Sequence, residues 1–91
     1  MGRSQTPQRP VAILFGDGVP ELFEELPEKI KIEAGRKLAL LSFHPEMCEV
    51  RRRGAMRGRR YFLISRYFFY YSVSSAEIRI EAIIPAGMRH A

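Results

Sequence analysis

The chain has a single cysteine, Cys48, so it forms no internal disulfide, and with only two histidines, His44 and His90, it offers no zinc-ligand cluster. Lysine is absent beyond Lys37. Long apolar runs are absent too: the longest stretch, Tyr61 to Val73, is broken by Arg66 and falls short of the roughly 20 residues a membrane helix needs. The first residues carry no apolar segment of the secretory kind, so no signal peptide is expected. These deficits exclude a disulfide-stapled or zinc-dependent protein, and the expected setting is a reducing cytoplasm with no membrane, metal or cofactor.

What is present is ordinary for a folded chain. Its 91 residues suit one domain, and 46% apolar with 27% charged residues argues against disorder and against a coiled coil. Residues 1–10 are polar, contain two prolines and read as a flexible lead-in; residues 11–91 form the domain.

The net charge of +5 is unevenly spread. Residues 11–46 hold seven acids and four bases, whereas residues 47–91 hold nine arginines and three acids. Six of those arginines, Arg51, Arg52, Arg53, Arg57, Arg59 and Arg60, fall within ten positions. A guanidinium is a planar fork for carboxylate or phosphate, so the run predicts an anionic partner, either an acidic peptide or a nucleic acid; a merely solvated rim is the blander alternative.

Val11 to Phe15 is a short apolar run closed by Gly-Asp-Gly and predicts a buried first strand. Val19, Leu22, Phe23, Leu26 and Ile30 then follow helical spacing, with Asp17 or Gly18 as cap and Pro20 and Glu21 in the first turn. Pro27 divides the segment into a helix ending near Leu26 and a second from about Pro27 to Ser42, whose inward stripe is Ile30, Ala34, Leu38 and Leu41, broadened by Leu40. Pro45 ends it. After Met47 the period changes to two. Cys48 to Arg53 reads as a weak strand, Gly54 to Gly58 as a turn, and Arg60–Ser65, Tyr67–Val73 and Glu77–Ile84 as strands. Whether Arg60 to Val73 is one bent strand or two is open. In the last strand Ile78, Ile80, Ala82 and Ile84 are expected on one face, opposite Glu77, Arg79 and Glu81.

The predicted fold is therefore α+β, two-layered, in the order β-α-α-β-β-β(-β), with a helical hairpin on one face of a mostly antiparallel sheet. Residues 67–73 carry rings on both sides of their strand, and only one set can meet the helices. Tyr61, Tyr67 and Tyr71 are expected in the core, and Phe68 and Tyr70 on the uncovered face. Contiguous exposed aromatics in a small domain point to a partner molecule.

Gly58 to Val73 (GRRYFLISRYFFYYSV), the Ile-rich strand Glu77 to Ile84 and the terminal Gly87-Met88-Arg89 resemble the RelE/ParE toxin superfamily. In that family a Gly-x-Arg segment leads into a Tyr-x-x-x-Tyr-x-Val strand, a hairpin and a late Gly-x-Arg. Residues 41–46 (LSFHPE) are similar to its Leu-x-x-x-Pro helix end, so the resemblance spans Val11 to Arg89. It implies the toxin half of a bacterial or plasmid toxin–antitoxin pair, neutralised by a cognate antitoxin whose acidic, partly apolar segment wraps around it.

Two activities occur in the superfamily. The RelE-like branch cleaves messenger RNA on the ribosome and, by the resemblance, has an arginine directly after the first tyrosine of the Tyr-x-x-x-Tyr strand, facing the open side of the sheet. That position is Phe68 here, and a phenyl ring neither donates to a phosphate nor moves a proton. Arg59, Arg60 or Arg89 would have to substitute, with Tyr70 and His90 as proton-transfer candidates. The ParE-like branch inhibits DNA gyrase by binding and is the favoured expectation. The residues expected to meet antitoxin or target are Arg51, Arg53, Arg57, Arg59, Arg60, Phe68, Tyr70 and Arg89. A non-enzymatic RNA-binding module ranks last, since no RNP-like strand is present. His44 is expected to cap or lie at the surface, and Cys48 to be a small buried apolar residue.

Overall fold

The computed structural model describes residues 9–87. The elements are β1 (Ala12–Phe15), α1 (Val19–Glu24), α2 (Glu28–Phe43), β2 (Glu49–Val50), β3 (Arg60–Ile64), β4 (Tyr67–Val73) and β5 (Glu77–Pro85). The expected lead-in, apart from Arg9 and Pro10, lies outside the described residues, as do Arg89 and His90.

The helices form where the sequence predicts them. Gly18 caps α1, with Pro20 in its first turn and Glu21 beside the positive end of the backbone dipoles. Pro27, unable to continue α1, becomes the N-cap of α2, which runs to Phe43 and is closed by His44 donating its backbone N–H to the Leu40 and Leu41 carbonyls.

The five strands form one sheet in the order β1-β5-β4-β3-β2. β1 runs parallel to β5, and every other neighbour pair is antiparallel. The first strand thus crosses over through the two helices to lie beside the last. It is an edge strand with Ala12 and Leu14 exposed, not the buried strand that its apolar run implied. The stretch 60–73 is two strands. They are joined at Ser65-Arg66, where Ser65 takes a left-handed φ of 55° to reverse the chain.

Both helices cover one side of the sheet. Val19, Leu26, Ile30, Ala34 and Leu41 meet Phe62, Ile64, Phe69, Tyr71, Ile78, Ile80 and Ile83 in one core. Phe62 and Phe69 stack at 4.9 Å between ring centroids. Tyr71 is fully buried, yet its hydroxyl donates to the Pro45 carbonyl at 3.0 Å, which ties the end of α2 to the middle of the sheet; burial pushes its phenol pKa well up. Of the predicted helix stripe, Leu22 and Leu40 instead face outward.

β5 corrects the expected alternation. Tyr70 pairs with Ala82 but Tyr71 pairs with Ile80, so Glu81 is an extra residue and the strand bulges there. The side-chain phase flips at the bulge: Ile78, Ile80 and Ile83 point to the helices, while Ala82 and Ile84 pair with Tyr70 and Phe68 on the other face.

Ala34 is completely buried between α2 and the sheet, so added volume there has to push the two layers apart. Ala34→Leu is expected to lower unfolding stability by about 1–3 kcal/mol, measured as a reduced urea midpoint with an unchanged slope.

Candidate functional site

The face away from the helices is built row by row from the strand register. Leu63, Phe68 and Ile84 form one row across β3, β4 and β5, and Tyr61, Tyr70 and Ala82 the next. Beyond them Ser72 pairs with Arg79, and Arg79 with Leu14 on β1. The face therefore grades from apolar at the β3–β4 turn to charged at the opposite end. Leu63 is 50% exposed and Leu14 40%.

Two ring assignments need correction. Tyr61 lies on this face rather than in the core, because it shares a row with Tyr70. Tyr70 is on the predicted face but is 0% exposed. Its ring lies 5.8 Å from that of Tyr61 and 6.0 Å from that of Phe68. The three rings thus support one another, with Tyr61 and Phe68 half-buried and 5.8 Å apart. Tyr70 is accordingly a buried support for the face and not itself a contact surface.

The charged end is organised by Glu81. Glu81 follows the inward-facing Ile80 and so lies on the open face, where its carboxylate accepts from Ser72 Oγ at 2.6 Å and from Arg59 Nε at 2.8 Å. Partial burial raises the carboxyl pKa, but the hydrogen bonds from Ser72 and Arg59, together with the Arg59 and Arg79 charges, outweigh it and hold the group below its usual value. Arg59, expected to be a partner-binding arginine, is thereby paired within the chain. Glu81 and Ser72 did not stand out in sequence because Glu81 reads as one more solvent-facing acid of an alternating strand. The only available cue is the adjacent pair Ile83-Ile84, which breaks strict alternation.

Arg60 is placed differently again. It precedes Phe62 by two and so belongs to the helix side of β3. Its Nη1 donates to the Cys48 carbonyl at 2.6 Å and the Glu46 carbonyl at 3.2 Å, clamping the link between α2 and β2. Cys48 is half-buried against the core rather than fully enclosed, and His44 is exposed.

The remaining arginines sit on a hairpin at the β2 edge. Arg51 and Arg59 bond across it, with Arg51 N–H donating to the Arg59 carbonyl at 2.7 Å and Gly58 N–H to the Arg51 carbonyl at 2.9 Å. Gly54 and Gly58 have φ of 83° and 91°, which a side chain would oppose, so the tight return needs glycine at both. Arg51 Nε donates to the Arg53 carbonyl. Arg52, Arg53 and Arg57 are exposed and form no ion pair among the described residues. A groove of about 420 Å³ lies beside them, lined by Glu49, Val50, Arg51, Arg52, Arg60 and Tyr61. Tyr61 donates its hydroxyl to Glu49 Oε1 at 2.9 Å, and that bond raises the phenol pKa.

Among the described residues three side chains have displaced pKa values, and all move away from neutrality: Tyr61 and Tyr71 upward, Glu81 downward. None of them is set to exchange a proton near pH 7. Among the described residues no His, Cys, Asp or Glu group is arranged to hold a metal, and no helix is long and apolar enough to cross a membrane. No protein-family model matches the chain, and neither a curated protein nor a solved structure resembles it significantly.

Glu81→Gln is expected to cost about 1 kcal/mol at neutral pH, since the carboxylate is partly screened and the amide keeps one acceptor. Because the folded pKa is depressed, this stabilisation is present above the unfolded carboxylate value and is lost as pH falls through the folded one. Denaturant titrations of both proteins should show a gap that closes below about pH 4.

Proposed function

We propose that this chain is a toxin of the RelE/ParE kind, in the ParE-like branch, which acts by binding a target such as DNA gyrase and is neutralised by a cognate antitoxin. The mixed sheet with a helical hairpin on one side is compatible with that assignment. The observation that carries the choice of branch is Phe68. It lies on the open face in a row of apolar side chains, Leu63-Phe68-Ile84, at the position where the mRNA-cleaving branch has its arginine. Arg59, a possible substitute, is occupied by Glu81. A face of this composition binds by burying apolar area, with Leu63 and Leu14 at the surface and Arg79 alongside to meet an acidic, partly apolar segment.

The test is supercoiling by purified gyrase together with toeprinting of translating ribosomes. Inhibition of supercoiling without A-site cleavage is expected. Unchanged supercoiling at excess protein overturns the gyrase reading, and A-site cleavage transfers the chain to the RelE-like branch. Leu63→Asp should retain the fold, because the side chain is half exposed, yet weaken antitoxin binding at least tenfold by placing a carboxylate in the apolar contact.

A further inference from the structure

The arginine run divides into two groups that the sequence presents as one. Arg59 and Arg60 are bound within the fold, by the Glu81 carboxylate and by the Glu46 and Cys48 carbonyls. Arg52, Arg53 and Arg57 are left on a glycine-hinged hairpin with no carboxylate paired to them among the described residues. Concentrating like charge without counter-charge on a short hairpin is unfavourable unless an external anion relieves it. We propose that this hairpin docks on the phosphodiester backbone of a nucleic-acid duplex, independently of sequence.

Three observations select that ligand over other anions. The hairpin, residues 51–59, has no aromatic side chain on which an unstacked base could rest, so single strands gain little there. The adjoining strand β2 is two residues long, too short an edge for an acidic peptide to pair along, and the groove beside it carries the Glu49 carboxylate. The exposed cations are all arginines, whose forks can take two phosphate oxygens each, and they lie on both limbs of the return, Arg52 and Arg53 before Gly54 and Arg57 after it. The inference does not depend on the toxin reading, and its assay contains no gyrase, ribosome or antitoxin.

The experiment is a salt titration of binding, by fluorescence anisotropy, of the whole chain to a labelled mixed-sequence 20-bp DNA duplex, to either single strand, and to polyglutamate. Three phosphate contacts predict a slope of log affinity against log salt of about −2.7, a loss of roughly fortyfold between 50 and 200 mM. The combined variant Arg52→Gln, Arg53→Gln, Arg57→Gln should flatten that slope by about the same amount, while the combined lysine variant at the same positions should keep it. Lys29→Gln, on the exposed side of α2, controls for general charge loss. Circular dichroism identical to wild type establishes that the glutamine variant is folded. Absence of duplex binding, an unchanged slope in the folded glutamine variant, or equal affinity for single strands or polyglutamate overturns the proposal.

Discussion

Everything distinctive about this fold follows from the alternation of side chains along a strand whose residues are aromatic on both sides. β4 reads Tyr-Phe-Phe-Tyr-Tyr, and successive side chains must point to opposite faces. The helix layer can bury one set, and it takes Phe69 and Tyr71. Phe68 and Tyr70 are then committed to the other face whatever the helices do. The chain manages this second set partly by itself: Tyr61 on β3 and Phe68 flank the Tyr70 ring, and Tyr70 is sealed. The face that results has a rigid, ring-supported centre, with accessible apolar area at Leu63 and Leu14. Rigid support matters for recognition, because a surface that is already ordered loses less entropy when a partner arrives.

The bulge in β5 joins this constraint to the charges. Were residues 80–84 to alternate regularly, without a bulge, Ala82 and Ile84 would face the helices and Ile83 would face away. The bulge at Glu81 reverses the phase of the residues that follow, while Glu81 itself keeps its carboxylate on the open face beside Ser72 and Arg59. One residue therefore both completes the core with Ile83 and neutralises an arginine that would otherwise stand unpaired on the sheet. A cluster of arginines that looks uniform in sequence is sorted by the backbone into a buttress, an ion-paired member and a solvent-facing group, because a sheet side, a bulge and a hairpin tip are different electrostatic environments.

The elements that were legible in the sequence are those with long, consistent period: α2 with Ile30, Ala34 and Leu41 inward, and β4 with its two ring sets. Pro27 and Pro45 marked the helix limits because each removes a backbone donor at a place where the chain turns. Less was legible where a tertiary partner decides. The run Val11 to Phe15 is apolar enough for a central strand, yet it pairs only with β5 and ends at the sheet edge. Tyr61 looked like core because tyrosine in a strand usually is, but register with Tyr70 places it on the other side. At the candidate site, the arginine cluster and Phe68 could be named from residue type and spacing. Glu81 could not, since a bulge exists only relative to a neighbouring strand, and no local property of residues 77–85 says which residue is surplus.

The pairings on this surface also set what Glu81 and Tyr61 can do with a proton. A carboxyl or a phenol serves as acid or base at neutral pH only when its pKa is drawn toward 7, by burial or by its neighbours. Here the partners run the other way: Glu81 receives two donors that favour its ionised form, and Tyr61 donates to a carboxylate that favours its neutral form. Both arrangements lower the energy of the resting state and make proton release or uptake harder. An arginine held at 2.8 Å by a carboxylate is similarly poor at clamping a transition-state phosphate, because the new contact must first replace an existing one. What those pairings leave undiminished is shape and apolar area, which act in recognition without any proton moving.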